Sequence, residues 1–201
     1  MNNGTCRIIG GKWRGRKVAF DDAEGLRPTT DRIRETVFNW LQPYLQQSHC
    51  LDAFAGSGVL GFEALSRGAS EVVFIEKNIK TAKKIQENID VLGFDDAHVF
   101  HQDVLHWLQS KKILSKSIVL GSNEQPAEKK FDLVFLDPPF YLDLLTKAGT
   151  LLIDSDCLAE KAIIYVEHNV DENIKTPENW FCLKEKKAGQ VVYRLFENQV
   201  K

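Results

Sequence analysis

Long apolar runs are missing from this chain of 201 residues. No stretch approaches the roughly 18–20 consecutive apolar residues of a membrane-spanning helix. The amino terminus also lacks the apolar segment of a secretory signal, so export is not expected. Cysteine is sparse: Cys6, Cys50, Cys157 and Cys182 stand far apart and form no C-x-x-C pair. That pattern disfavours a disulfide framework or a zinc site and predicts reduced, packed thiols in a cytosolic protein. The histidines His49, His98, His101, His106 and His168 show no ligand spacing, and no metal is called for. No internal repeat is visible. Net charge is only −2, which taken alone speaks against a nucleic-acid partner. The length suits one sizeable α/β domain with an appendage.

The distribution of charge says something different from its sum. Residues 1–34 hold eight basic and four acidic side chains, a net of +4, while the remainder carries −6. A basic arm on a mildly acidic body is the reading. Arginine outnumbers lysine in the arm, and Trp13 lies within it. Planar forks and an aromatic face suit phosphates and bases better than mere solubility.

Segments of helical and strand periodicity alternate along the chain. Residues 6–20 read as a hairpin, with Cys6 to Ile9 as one strand, a Gly10-Gly11 turn, and a second strand to Phe20. Thr29, Thr30 and Asp31 offer caps for a helix to about Leu45, whose apolar face is Ile33, Val37, Trp40, Leu41 and Tyr44. Asn78 can cap another helix, with Ile79, Ala82, Ile85, Ile89 and Leu92 inward and Gly93 at its end. Ala97–His101 is a short strand, and a helix follows at about Val104–Ser110. Residues 115–130 are polar and aperiodic and read as a mobile loop. Leu142–Ile153 is helical, and Ala162–Glu167 is a strand. Phe181–Lys187 and Val191–Glu197 form a hairpin around Ala188-Gly189. This alternation predicts a mostly parallel sheet with helices on both faces and antiparallel strands at one edge.

Two motifs carry chemistry. The first is Leu-Asp-Ala-Phe-Ala-Gly-Ser-Gly-Val-Leu-Gly at 51–61. A strand, Cys50–Phe54, meets a turn at Gly56, Ser57 and Gly58, and a helix runs on to Arg67. Glycines there let backbone approach a bound cofactor closely. A second strand, Val72–Glu76, ends in an acid that can accept both hydroxyls of a ribose. Gly56, Gly58 and Gly61 with Glu76 also satisfy the dinucleotide fingerprint. The pattern therefore means an adenosine-containing cofactor, without separating a nicotinamide from a sulfonium methyl donor.

The second motif is Asp137-Pro138-Pro139-Phe140, after the apolar run Phe131–Leu136. A carboxylate at the carboxyl end of a buried strand sits where open α/β sheets bind ligands. The two prolines supply no N–H and stiffen the corner, leaving a carboxylate, a carbonyl and an aromatic face. A planar base with an exocyclic amine fits these three. Hydride transfer has no use for them, whereas methylation of a base amine does. As an isolated string the same residues also describe an ordinary proline-rich turn.

With these residues in view, the chain resembles the RsmD-type methyltransferases, which modify the exocyclic N2 amine of a guanine in bacterial small-subunit ribosomal RNA. The likeness rests on Arg7 to Arg16, Gly25 to Arg32, Asp52 to Gly58, Asp137 to Phe140 and Ala188 to Leu195, and covers nearly the whole length. The resemblance implies a Rossmann-like class I methyltransferase fold with a seven-stranded, mostly parallel sheet. The hairpin extension would span residues 1–28 and the catalytic domain 29–201, with a loop at 115–130 longer than usual. S-adenosyl-L-methionine is the implied cofactor. Asp52, Ala53, Phe54, Gly56, Ser57 and Gly58 would lie under it, Glu76 at its ribose, and Asp103 near its adenine amine. Lys77, Gln102 and Val104 would flank them. An Asx-turn is the alternative role for Asp103. Asp137, Pro138, Pro139 and Phe140 become the target-base motif. Arg7, Lys12, Trp13, Arg14, Arg16, Arg27, Thr29, Thr30 and Arg32 would meet 16S ribosomal RNA in the 30S particle. A monomeric cytoplasmic enzyme is expected. An adenine-N6 nucleic-acid methyltransferase would use a similar corner, and a non-catalytic RNA-binding protein would not need it intact.

Overall fold

The computed structural model describes residues 3–21, 30–117, 129–139 and 143–199. Two strands, β1 (Asn3–Arg7) and β2 (Lys17–Asp21), pair antiparallel. The chain continues through α1 (Asp31–Leu45), β3 (His49–Asp52), α2 (Val59–Ser66), β4 (Glu71–Glu76), α3 (Ile79–Leu92) and β5 (Ala97–His101). It ends with α4 (Val104–Ser117), β6 (Phe131–Leu136), α5 (Leu144–Asp154), β7 (Leu158–Asn169), β8 (Trp180–Ala188) and β9 (Val191–Asn198).

The main sheet has the order β5-β4-β3-β6-β7-β9-β8. Its first five strands are parallel, and β9 and β8 join antiparallel. Period-two alternation on buried strands sends Leu133, Phe135, Ile163 and Tyr165 to one face, where Val37, Phe38, Phe62 and Ile85 of α1, α2 and α3 meet them. Val134, Leu136, Ile164 and Val166 point to the other face, under α4 and α5. The expected Rossmann-like α/β architecture is thus observed.

Local chemistry starts the helices. Thr30 caps α1 by accepting from Ile33 N–H, a bond of the kind that stabilises by about 1 kcal/mol. Asn78 accepts from Lys80 and Thr81 N–H at the start of α3, and Gly93 closes that helix at φ +70°. Gly61 lets α2 lie close on the sheet, because a Cβ there would come within 2.2 Å of the Phe74 ring.

The amino-terminal extension departs most from expectation. The connection between its strands is the segment 8–16 rather than a Gly10-Gly11 turn, and it folds onto the carboxyl end of α2. Lys12 N–H donates to Ser66 O at 2.7 Å and Trp13 N–H to Ser66 Oγ at 3.0 Å, while that hydroxyl donates to Gly10 O at 2.6 Å. A Cβ on Gly11 would fall 1.8 Å from Ser66 O. Trp13, expected to meet RNA, packs at a tilt against Phe94 with centroids 4.4 Å apart and donates from Nε1 to Leu92 O. Asn88 of α3 exchanges two hydrogen bonds with the Ala19 backbone of β2.

Beneath the extension lies a buried ion cluster. Glu63 of α2 and Arg34 of α1 are both 0% exposed. Glu63 accepts from Ile9 N–H at 2.8 Å and from Arg67 Nε at 2.6 Å, with Arg34 Nη1 at 3.8 Å. Arg34 also donates to Arg7 O at 3.0 Å and to Asp31 at 2.6 Å. Arg34 therefore belongs to the core and not to the arm's exposed charge.

Smaller corrections follow from packing. Tyr44 and Ile79 were expected inward but are 38% and 45% exposed, and α1 buries Phe38 and Leu45 alongside Ile33, Val37 and Leu41. Helix α4 continues to Ser117, so residues 115–117, expected in the loop, are helical. Residues 118–128 of that segment lie outside the described residues. Strand β7 begins at Leu158, before the expected Ala162, and runs past Glu167 to Asn169.

Candidate active site

Four consecutive neighbours in the sheet, β5-β4-β3-β6, bring the motifs into one row along their carboxyl ends. At about 4.8 Å per strand the row spans about 14 Å. Strand order reverses between β3 and β6, and ligands of open α/β sheets bind at such a switch point. The Gly56–Gly58 turn follows β3, and Asp137 follows β6, so the two motifs flank that point.

The turn after β3 is built by its own hydrogen bonds. Ala53 N–H donates to Phe135 O, Ala55 N–H to Ile75 O, and Gly58 N–H to Ala55 O. Gly56 and Gly58 adopt φ of +50° and +73°, which favours glycine at both positions. Ser57 and Ala53 are buried, and Phe54 is half-buried. Asp52 is 3% exposed and accepts from Gly61 N–H at 3.1 Å, in the first turn of α2. Burial pushes its carboxyl up to about 7, opposed by that N–H and reinforced by the Glu76 charge. Its observed contact is to the helix start.

Glu76, half-buried at the end of β4, accepts from Gly56 N–H at 2.9 Å and from Asn78 N–H at 2.6 Å. It thus ties the glycine turn to the start of α3. A carboxylate has about four lone-pair sites, so room remains for ribose hydroxyls. Asp103 opens α4 by accepting from Leu105 and His106 N–H at 3.0 and 3.3 Å, the Asx-type cap of the alternative reading. Its other oxygen lies 3.2 Å from Lys77 Nζ. Slight burial raises the Asp103 carboxyl, but the His106 N–H and the Lys77 ammonium outweigh it and hold the carboxyl below its ordinary value. Gln102 N–H donates to Glu76 O, joining the two acids' loops. Val104 is buried as the first residue of α4. The donors and acceptors here fit an adenosyl group: a glycine turn open to close approach, one acid with spare acceptor sites, and a second acid one strand away.

At the corner after β6, Asp137 is half-buried, Pro138 buried and Pro139 exposed. Phe140 lies outside the described residues. Sequence reasoning did not bring Tyr165 to the corner. Leu136 pairs with Val166, so Asp137 and Glu167 are neighbours on adjacent strands. Tyr165 OH donates to Glu167 Oε2 at 2.7 Å, fully buried. Burial, then the charges of Glu167 and Asp137, hold the Tyr165 hydroxyl well above its ordinary value. The signal available in the sequence was Glu167 itself, an acid in an otherwise apolar run.

Of the arm residues, Arg7, Lys12, Arg14, Arg16 and Arg32 are exposed. Lys12 Nζ sits 4.3 Å over the Trp13 ring, and Arg16 reaches Val91 O at 3.4 Å. Thr30 is occupied as a cap, and Trp13 as packing. Arg27 and Thr29 lie outside the described residues.

The sheet order, the glycine turn with its acid, and the proline corner together define a class I, S-adenosylmethionine-dependent methyltransferase. The family described as "Conserved hypothetical protein 95" matches residues 6–197. "Ribosomal RNA small subunit methyltransferase D" of Haemophilus influenzae is 47% identical over 197 residues, covering 97% of this chain and 95% of that protein. The protein of the same name from Escherichia coli K12 is 43% identical, covering 98% and 92%. A solved "Putative methyltransferase" of Escherichia coli superposes with a TM-score of 0.83 at 40% identity, covering 98% of this chain and all of that one. The chain belongs to this family, the RsmD-type methyltransferases.

Proposed function

We propose that this enzyme methylates the exocyclic N2 amine of one guanine in 16S ribosomal RNA, within the 30S particle. Ribosomal RNA methylation follows from the family. The guanine amine rests on one observation above all: Asp137 and the Pro138-Pro139 corner stand at the switch point, across from the glycine turn. The exposed arginines of the arm supply the grip on RNA, and the enzyme acts as a cytoplasmic monomer in this reading.

Bound S-adenosylmethionine supplies a methyl group carried on positively charged sulfur. Everything else falls to residues of this chain. The guanine amine is a weak nucleophile because its lone pair is delocalised into the ring. Asp137 and the Pro138 carbonyl accept its two hydrogens, which favours a tetrahedral nitrogen and localises the pair. The new N–C bond forms as the C–S bond breaks, and the acidified nitrogen gives a proton to Asp137. Holding nitrogen, methyl and sulfur in line supplies much of the acceleration. The base must leave its stack or be unpaired beforehand.

Mapping methylated positions in small-subunit RNA from cells with and without the gene tests the target: one guanine N2 should lose its methyl. Asp137→Ala should leave cofactor affinity nearly intact and lower the single-turnover rate by about 10²-fold or more. A near-normal rate would reduce Asp137 to a turn residue.

A further inference from the structure

The body of the protein carries a net negative charge, yet one of its edges is basic. Strand β8 is the last strand of the sheet, and Lys184, Lys186 and Lys187 on it are all exposed. None of the three has an ion-pair partner among the described residues, whereas Glu185 between them is taken by Arg194 at 2.6 Å.

Register places these lysines relative to the catalytic corner. Lys186 pairs with Tyr193, which pairs with Glu167, and Glu167 is the neighbour of Asp137. Lys186 is therefore level with the corner, three strand spacings away, about 14 Å. Lys187 is one step beyond, aligned through Val192 with His168, and Lys184 is aligned through Leu195 with Tyr165. Cross-strand partners share a face. Lys184 and Lys186 thus point to the side occupied by Tyr193, Leu195 and α1, the side on which the amino-terminal arm also packs, while Lys187, the partner of Val192, points to the other face of the same edge. The arm packs on α2 and α3, with its loop 8–16 at the carboxyl end of α2, and the lysines lie on the opposite edge, so that in strand order the corner falls between them.

We propose that Lys184, Lys186 and Lys187 form a second phosphate-binding edge, which holds the RNA backbone on the side of the target nucleotide away from the arm. The proposal rests on ribosomal RNA being the substrate. Two grips flanking one corner would hold a strand at both sides of an extruded base, which a single arm cannot do. Lysines on an edge strand also deter edge-to-edge pairing, so the test separates that role from RNA binding.

Binding to unmethylated small-subunit particles is measured across salt concentrations for the wild type, for K184A/K186A/K187A and for K184R/K186R/K187R, with sedimentation of each. The alanine variant should bind more weakly, and its log–log salt slope should be shallower by about two units, at roughly 0.7–0.9 per phosphate lost. The arginine variant should keep the wild-type slope. Weaker binding with an unchanged slope would point to a ribosomal protein instead and overturn the proposal. Aggregation of the alanine variant with an unchanged slope would leave only the edge-protecting role and also overturn it. A wild type that fails to bind the particle would sink the substrate reading and this proposal together. A wild type that binds and methylates normally, beside an alanine variant of equal slope, sinks the lysine edge alone.

Discussion

Removing the Glu63 carboxylate should cost this protein more than any surface change. Glu63→Ala leaves Arg34 as a fully buried cation whose remaining partners are Arg7 O and the exposed Asp31. It also strips Ile9 N–H and Arg67 Nε of their acceptor. Breaking one side of a buried pair costs about 3–5 kcal/mol. Domains have about 5–15 kcal/mol in all, so about a fifth or more of the stability is at stake. For a chain of this size each kcal/mol moves the melting temperature by about 2–4 °C, which gives a drop of about 6–20 °C. Urea unfolding and thermal melting measure it. The double variant Arg34→Met with Glu63→Leu replaces the pair by apolar side chains of similar volume, and such replacements are often neutral or better. It should recover more than half of the loss. The residue should reflect Ile9 N–H, worth about 1–3 kcal/mol when left unpaired. A single variant that loses under about 1 kcal/mol, or a double no better than the single, would refute the account of the cluster.

Two further expectations concern the cofactor turn. Glu76→Ala should weaken S-adenosylmethionine binding by about 1–3 kcal/mol, the scale of hydrogen bonds to a charged group, measured by calorimetry; unchanged affinity would remove Glu76 from the site. Asp52 gives a pH signature. Its folded-state carboxyl lies at about 7, above the unfolded value near ~4, so the native state holds the extra proton between them. Stability should fall as pH rises through that window and level off above it. Asp52→Asn keeps an acceptor for Gly61 N–H and abolishes the slope, so its stability relative to wild type should improve from pH 4.5 to pH 8. Equal differences by urea unfolding at both values would count against a raised carboxyl.

Much of the site was legible because its signals are local. A short apolar run, glycines and an acid 20 residues on describe one strand–turn–helix–strand unit, and Asn78 and Gly93 mark helix ends by their own chemistry. What escaped was set by distant contacts. Nothing near Trp13 in sequence is apolar enough to bury it; Phe94 and Leu92 come from the far end of α3. Arg34 reads as one more charge of the arm until Glu63 is brought against it from α2. Ile79 and Tyr44 have the right spacing for inward faces, but Ile79 is the first residue of α3, and on α1 the buried face turns through Phe38 and Leu45 instead of Tyr44. The neighbourhood of Asp137 and Glu167 depends on strand register, which periodicity does not carry.

Helix α2 begins at the glycine turn and ends under the loop 8–16, which lies on Ser66 with no room for a side chain at Gly11. Eight residues make a strut of about 12 Å. The arm is therefore indexed to the glycine turn by one short rigid spacer. For protein engineering this defines an inseparable cassette. Grafting residues 3–21 alone onto another methyltransferase would deliver the arm without its gauge. Carrying α2 along, with Glu63 and Ser66 at its far end, would transplant the distance as well as the sequence.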